Sequence, residues 1–245
     1  MTHPIAEALF RLRKENRAEP TERFDLPASL AEAVDIQGVL AALEGAEDKA
    51  WKVAMSPDKH PVVAPLFPYV EADDASLPCP PSVKFEVELA VKLGEALPFR
   101  DTPYSRDEIK AAVADVHLGA ELLSSAIVES GKVSFPLYIA DRIGNRGYAL
   151  GPPVSKDLLD TIEGLHLKVD VDGSSIYDGP AKHPAGDPLA WLLAYANDGS
   201  RPAQSLGKGA VITTGALSGA MPLSGPGRVD VVLEGGLGMS VTLLR

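Results

Sequence analysis

Two stretches of the chain alternate apolar and polar residues, and this alternation predicts β-strands. Residues 83–93 (VKFEVELAVKL) alternate and then become continuously apolar. Residues 165–171 place leucines and valines on one side and polar side chains, including an exposed His166, on the other. Asp172-Gly173 follows directly and is typical of a two-residue hairpin turn. The chain is therefore predicted to be rich in strands.

Helical periodicity is concentrated near the N-terminus. Ile5, Leu9 and Leu12 fall on one face of a first predicted helix. Ser29 and Glu32 have the spacing of a capping box, in which each side chain satisfies the other residue's free backbone N–H, so a second helix is predicted to begin there. The apolar stripe predicted for this second helix consists of Leu30, Ala33, Val34 and Ala41.

Prolines and capping residues divide the rest of the chain into short elements. Prolines recur between residues 57 and 80, which predicts short strands and ordered loops. Ser105 and Glu108 form another possible capping box, opening a helix to residue 112, after which a β or mixed segment is predicted. Asp187 as N-cap and Pro188 at the first helical position predict a further helix.

These elements predict a mixed α+β, β-rich fold. A break is expected near residues 45–50. It separates a helical N-terminal cap (residues 1–50) from a β-rich catalytic body (residues 51–245), and the two are expected to form one continuous structural unit.

Charge and composition narrow the classes of partner. The formal net charge is -11, so phosphate backbones would be repelled and nucleic-acid binding is not expected. No apolar run reaches the roughly 20 residues that span a bilayer, and the N-terminal segment lacks the apolar core of a secretory signal. The single cysteine, Cys79, excludes an internal disulfide and has no evident activating partner. We expect a cytoplasmic protein without membrane contact.

Three carboxylates are candidates for a metal site. Glu86 and Glu88 lie two apart on the predicted strand, so their side chains share one face, and Glu121 is a lone acid between apolar neighbours. Adjacent buried carboxylates repel one another, and a hard cation such as Mg²⁺ or Mn²⁺ would relieve that cost. The alternative is that these acids simply face solvent.

Two cationic or titratable residues could serve such a site. Lys52, between Trp51 and Val53, could bind a substrate carboxylate or act as a base, or extend along the surface with its charge in water. His60 lies in the proline-rich segment after Lys52 and could approach the same site. Motifs for dinucleotide, nucleotide and serine-hydrolase sites are absent from the sequence.

A series of segments in order resembles the fumarylacetoacetate hydrolase superfamily. The segments are WKV at 51, FEVELA at 85, AELL near 121, IADRIGNRGYALG from 139, GDPLAWLLAYAN from 186, ITTGALSG from 212 and GGLGMSV from 235. They most resemble the bacterial group of 2-keto-4-pentenoate hydratase, 2-oxohept-4-ene-1,7-dioate hydratase and 4-oxalocrotonate decarboxylase. The resemblance implies a β-roll like the C-terminal domain of that superfamily, with a smaller helical N-terminal part.

The resemblance also implies roles for individual residues. Lys52 matches an active-site lysine, Asp141 matches the aspartate of a catalytic segment, and Ser218 falls where a hydroxyl approaches the bound acid. Arg142 replaces the usual asparagine and could accept a second substrate carboxylate, or be exposed on a loop. Pro68-Tyr69 occupies a stretch where an acidic residue is often found. The metal ligands implied for Mg²⁺ or Mn²⁺ are Glu86, Glu88 and Glu121.

The activity implied is that of a lyase. A metal-dependent hydratase acting on a 2-hydroxy-2,4-dienoate, or another small 2-oxo acid of aromatic catabolism, is the leading expectation. A decarboxylase or an acylpyruvate-type C–C hydrolase on the same metal site is the first alternative. A weakly active protein that binds a 2-oxo acid or a partner subunit is the second. The family further implies a homo-oligomer, a dimer or larger, and leaves room for a hetero-complex with a related decarboxylase.

Overall fold

The strands of this protein form two sheets, which a computed structural model describes for residues 3–47, 49–202 and 205–245. The first sheet contains β1 (Ala50–Met55), β2 (Pro61–Pro65), β3 (Tyr69–Glu71), β5 (Lys84–Leu93), β6 (Val113–Leu123), β7 (Asn145–Val154), β10 (Val211–Ala216) and β11 (Met221–Pro222). The second contains β4 (Asp74–Pro78), β8 (His166–Val171), β9 (Ser174–Pro180), β12 (Gly227–Leu233) and β13 (Leu237–Leu244).

The strand order places β5 and β6 in the middle of the larger sheet. That order is β2-β1-β10-β5-β6-β7-β3, with β11 paired to the end of β5. The second sheet has the order β4-β13-β12-β8-β9. The helices are α1 (Pro4–Lys14), α2 (Leu30–Glu44), α3 (Arg106–Ala112), α4 (Phe135–Ala140), α5 (Leu158–Thr161) and α6 (Ala190–Ala196). The expected α+β, strand-rich fold is confirmed. None of the helices in the described ranges has the length and apolar character to cross a bilayer.

The main core lies between the two sheets and explains the alternation in β5. Phe85, Val87, Leu89 and Val91 are buried in one cluster with Val169 and other residues of the second sheet. Each such side chain contributes about 1.5–3 kcal/mol when it is removed from water. If β5 shifted by one residue relative to its neighbouring strands, all of these side chains would move to the opposite face of the sheet. The pairing register of β5 is therefore strongly specified. The even-numbered residues of β5 are thereby held on the opposite face of the larger sheet.

The N-terminal helices pack on α4, and Ala33 of α2 also shares a cluster with Ala64 of β2. Ile5, Leu9 and Leu12 of α1 share a core cluster with Ile36 of α2 and Leu137 of α4. The first predicted helix is therefore confirmed over Pro4–Lys14. This helical core combines residues from both sides of residue 50, so it does not by itself separate a cap from a body. The division of the chain at residue 50 stays a prediction.

The stripe predicted for α2 is wrong in two positions. Leu30 and Val34 are 37% and 46% exposed, and the buried face instead consists of Ala33, Ile36, Gln37 and Leu40. The helix is rotated because Gln37 is buried and its Nε2 donates a hydrogen bond of 2.8 Å to the Ile139 carbonyl. A buried, hydrogen-bonded glutamine is invisible to a pattern that counts only apolar residues.

The predicted helix starts differ in detail. Ser29 accepts the N–H of Glu32, but the Glu32 carboxylate accepts from Ala28 instead of returning to Ser29. The capping box of Ser105 and Glu108 is present in both directions. The helix predicted to begin at Pro188 begins at Ala190. The hairpin at Asp172-Gly173 is confirmed, with φ of 48° and 79° at its two residues.

Candidate metal centre

Three carboxylates form a cluster on the face of the larger sheet opposite the main core. Glu86 of β5 pairs directly with Glu121 of β6, and Glu121 pairs with Tyr148 of β7. Residues directly opposite one another in antiparallel strands project from the same face. Glu88 lies two residues along β5 and joins them. Ligand oxygens of Glu86, Glu88 and Glu121 lie within 4.8 Å of one another.

The cluster is buried, so its negative charge is costly. Glu121 is 0% and Glu88 2% exposed, and Glu86 is half-buried. Burial raises the pKa of Glu86 to about 7, with a further contribution from Glu121 and opposition from Lys52. Burial, Glu121 and Glu86 raise the pKa of Glu88 well above its ordinary value. Among the described residues, Glu88 Oε2 has no hydrogen-bond partner.

Lys52 reaches the cluster from three strands away. It pairs with Thr213 of β10, which lies between β1 and β5. On a flat sheet, β1 and β6 would be about 14 Å apart, yet Lys52 Nζ donates to both Glu121 oxygens at 2.8 Å. The sheet is therefore curled around this face. Burial alone lowers the pKa of Lys52, but the glutamates outweigh that effect and raise it, so the side chain is an ammonium.

Asn145 is a buried partner of the cluster that the sequence analysis did not identify. Its Nδ2 donates to Glu121 Oε1 at 3.0 Å, and its Oδ1 accepts from the N–H of Phe67 at 2.9 Å. Its backbone carbonyl accepts from the guanidinium groups of Arg13 and Arg142. The side chain is thus fixed on both sides, and it orients the Glu121 carboxylate. The signal available in the sequence was a polar Asn at the start of an otherwise buried strand.

Two tyrosines near the carboxylates were also not identified from sequence. Tyr148 is fully buried, and its hydroxyl has no hydrogen-bond partner in the part of the chain that the structure describes. It lies over Gly119, where an added Cβ would be 1.9 Å from the hydroxyl oxygen. Tyr138 of α4 is close enough to Lys52 and Glu121 for their charges to act on its pKa, which burial raises. Gly119 in the apolar run of β6 was the available clue to Tyr148.

Asp141 does not join the cluster. It is fully buried, and its carboxylate accepts from Arg13 Nη1 at 2.7 Å, from the Ser125 hydroxyl at 2.7 Å and from the N–H of Ala126 at 3.1 Å. Both of its oxygens are therefore occupied: Oδ1 anchors α1 through Arg13, and Oδ2 holds the segment after β6 through Ser125 and Ala126. This bonding favours a positioning role over the catalytic role implied by the resemblance.

Arg142 is buried rather than exposed on a loop. Its Nη2 lies 2.9 Å from Glu44 Oε2 and donates to the Phe67 carbonyl at 3.1 Å. The charges that act on its pKa belong to Arg13, Glu44, Asp141 and Arg146, and none belongs to the glutamate cluster. The structure therefore does not bring Arg142 to the position expected for a second substrate carboxylate.

His60 and Ser218 have different relations to the cluster. His60 is exposed in the turn between β1 and β2, and the strand pairing begins only at Met55 and Pro61. At about 3.3 Å per residue it lies far along the hairpin from Lys52, so the structure does not bring the two together. Ser218 is half-buried in the segment that follows β10 and leads to β11, beside the end of β5 that carries Glu86.

The donor set fits a hard dication. Three carboxylates supply oxygen ligands, and one of them retains an unpartnered buried oxygen. Mg²⁺ and Mn²⁺ prefer such ligands. Lys52 supplies only one positive charge to three acids, so a dication would complete the neutralisation. The arrangement can hold a chelating anion against a positive centre inside a buried, curled sheet.

Comparison with known proteins agrees with this fold. The family model described as fumarylacetoacetate hydrolase C-terminal matches residues 47–239. A structure of 4-oxalocrotonate decarboxylase from Pseudomonas putida G7, complexed with magnesium and adipate, is 19% identical with a TM-score of 0.76, covering 98% of this chain and 96% of that one. A second structure of that enzyme, with calcium and acetate, is 17% identical with a TM-score of 0.72 over 98% and 97%. The 2-hydroxyhepta-2,4-diene-1,7-dioate isomerase from Mycobacterium marinum is 18% identical, with a TM-score of 0.53 over 81% and 75%.

Proposed function

The chain belongs to the fumarylacetoacetate hydrolase family, and from that premise we propose that it is a metal-dependent lyase that hydrates a 2-hydroxy-2,4-dienoate to a 4-hydroxy-2-oxo acid. Glu86, Glu88 and Glu121 are the proposed ligands of Mg²⁺ or Mn²⁺. The observation that carries the proposal is the convergence of three buried carboxylates within 4.8 Å. Such a group is costly without a cation.

A bound dication would supply Lewis acidity toward the C1 carboxylate and C2 oxygen of a 2-oxo acid. Lys52 keeps its proton because the glutamates raise its pKa. That direction holds for the metal-free cluster, and the proposed role of Lys52 with the dication bound is that of a donor to the substrate carboxylate. Asn145 holds Glu121 in place, and the buried Tyr148 hydroxyl provides a protonated donor next to the carboxylates. Ser218 is the proposed hydroxyl at the edge of the site. Catalytic roles for His60 and Asp141 find no support in their positions.

Hydration is tested by following the loss of dienoate absorbance. The purified chain is treated with chelator, dialysed and assayed with and without added Mg²⁺ or Mn²⁺. We expect activity only with the dication, and a loss of at least a hundredfold in Glu86→Gln. The exposed Glu95→Gln, which changes the charge equally, is the matched control. Full activity in Glu86→Gln, or a rate indifferent to chelation, would contradict the proposal.

Decarboxylation of a 2-oxo acid is the second candidate. It is favoured by the fold similarity to 4-oxalocrotonate decarboxylase, which extends over nearly all of both chains. Hydration and decarboxylation can both pass through an enolate-like state at C2 that a positive centre stabilises. Assaying a panel of 2-oxo acids for carbon dioxide and for pyruvate separates the candidates. Carbon dioxide indicates a decarboxylase, pyruvate an acylpyruvate-type hydrolase, and hydroxylated product alone a hydratase.

An assembly of two or more copies is part of the proposal. Leu30 and Val34 lie one turn apart on α2 and are substantially exposed, which is a feature of surfaces that pack against another chain. The native mass of the purified chain tests this. A monomer with negligible turnover would instead favour a weakly active partner subunit that needs a related decarboxylase.

A further inference from the structure

A cavity lies against α1 and the end of α2, and none of the three clustered glutamates lines it. Its volume is about 200 Å³, and its charged lining consists of Arg13, Lys14, Glu44, Arg142 and Arg146. Asn16, two phenylalanines and three prolines supply the rest of its wall. The cavity is smaller than the roughly 300–1,000 Å³ of pockets for drug-sized ligands, so it suits a molecule of only a few non-hydrogen atoms.

The charges around this cavity do not balance. Four cationic side chains line the cavity, and Glu44 is the only acidic residue in its lining. Asp141 does not line the cavity but forms an ion pair with Arg13. Four cations against two carboxylates leave an excess of two positive charges. This excess is unusual in a chain whose formal net charge is -11. Arg142 is buried, Arg146 is half-buried and Lys14 is exposed, and this cationic excess favours an anionic ligand with about two negative charges.

Arg142 has unused hydrogen-bonding capacity at this cavity. The side chain is 1% exposed, and its Nη2 donates to two backbone carbonyls. The same Nη2 lies 2.9 Å from Glu44 Oε2, a buried oxygen without a hydrogen-bond partner in the described ranges. Within residues 3–47, 49–202 and 205–245, its Nε and Nη1 have no partner. Buried guanidinium donors without acceptors are uncommon and costly. Arg13, by contrast, is saturated by Glu44, Asp141 and the Asn145 carbonyl.

Arg146 provides a second cation at the same wall. Its Nη2 donates to the Arg13 carbonyl at 3.0 Å and to Asn16 Oδ1 at 3.1 Å. Burial, followed by the charge of Arg13, lowers the pKa of Arg146 to about 10, and burial likewise lowers that of Arg142 to about 9. An anion bound between them would remove this mutual repulsion.

We propose that this cavity is a binding site for a small dianionic oxyanion, a short dicarboxylate or a phosphate, with Arg142 as its deepest donor and Arg146 and Lys14 nearer the rim. Oxyanions supply the acceptors that guanidinium groups prefer. The apolar wall, which includes Phe67 and Pro68, accommodates a short carbon chain. Asn145 connects this cavity to the glutamate cluster, since Arg142 donates to its carbonyl and its side chain donates to Glu121. The proposed anion site nevertheless does not depend on the metal.

Calorimetric titration of the metal-free full-length chain tests this site. Inorganic phosphate and succinate are titrated separately at constant ionic strength, with sodium chloride as the blank. We expect saturable binding of at least one of them, and the stronger binder identifies the class of oxyanion. Arg146→Gln and Arg142→Met are expected to weaken the dissociation constant at least tenfold.

Two controls keep the outcome decisive. Arg23→Gln removes the same charge at an exposed position outside the cavity and should leave the dissociation constant unchanged. Glu86→Gln should also leave it unchanged, so failure of the metal proposal is distinguishable from failure of this one. If Arg142→Met does not fold, the dissociation constant of Arg146→Gln still tests the proposal. Absence of saturable binding, or equal affinities in Arg146→Gln and Arg23→Gln, would overturn the proposal.

Discussion

The raised pKa of Glu86 predicts that the metal-free protein loses stability as the pH rises. In the folded state this carboxyl titrates at about 7, against an ordinary value of 4.5. Between those values the folded protein holds a proton that the unfolded chain has released. Stability is therefore fully present below about pH 4.5 and is lost as the pH rises through about 7, because the folded state binds more protons.

The magnitude follows from the size of the shift. A difference of about 2.5 pKa units at about 1.4 kcal/mol each is worth about 3 kcal/mol in total. Integrated over the titration, about 2–3 kcal/mol of this is lost between pH 5 and pH 8. Glu88 acts in the same direction, since its pKa is also raised. A loss of this size is a large fraction of the typical stability of a domain.

Urea denaturation at pH 5, 6, 7 and 8, after chelation and at fixed ionic strength, measures the effect. Across this range the wild type should lose about 2–3 kcal/mol more unfolding free energy than Glu86→Gln, by the same linkage relation. Burial lowers the pKa of His183, which gives a trend of the opposite sign, but that contribution is common to both proteins and cancels. Saturating Mg²⁺ should largely abolish the fall, because a dication competes with protons for the carboxylates.

Equal pH slopes for the wild type and Glu86→Gln would refute the reasoning. Such a result would mean that the three carboxyl groups are too far apart, or too well hydrated, to affect one another's ionisation. An unchanged slope in the presence of Mg²⁺ would separately contradict the assignment of the cluster as a metal site.

Three further substitutions have expected outcomes. Gly119→Ala places a Cβ 1.9 Å from the Tyr148 hydroxyl oxygen and 2.7 Å from its ring carbon Cζ and should destabilise the protein by about 1–3 kcal/mol in urea, with partial recovery in a double variant that also carries Tyr148→Phe. Asn145→Ala removes a hydrogen bond to Glu121 and should weaken Mg²⁺ binding about 10–100-fold by titration calorimetry. Arg13→Met leaves the buried Asp141 carboxylate without its cation, whereas Glu44 keeps Arg142, and should cost about 3–5 kcal/mol of unfolding free energy; a cost below about 1 kcal/mol would show that Asp141 is hydrated.

Local patterns in the sequence were sufficient to predict most elements of the fold. The alternation of β5 places Glu86 and Glu88 on the face away from the core, and the capping box at Ser105 marks the start of α3. Their proximity to Glu121 could not be derived this way, because the pairing of Glu86 with Glu121 joins residues 35 positions apart in the chain. Only the resemblance to a family predicted it.

The remaining features depend on long-range contacts that no local pattern encodes. The curl of the sheet brings Lys52 to Glu121 across two intervening strands. Asn145 and Tyr148 looked like ordinary strand residues, and their importance arises from what lies opposite them. Asp141 matched a family position, yet its carboxylate is taken by a guanidinium from α1, an interaction that spans 128 residues.

The clamp of Arg13 on Asp141 and Asn145 has a consequence for how this protein can diverge. The family model matches residues 47–239, so Arg13 and its other carboxylate partner, Glu44, both lie outside the matched segment. A helix outside the matched segment thus supports the backbone of Asn145, whose side chain contacts the glutamate cluster. Exchanging the N-terminal helices with those of a distant relative would therefore disturb Asn145, and through it Glu121, even though every carboxylate of the cluster was retained.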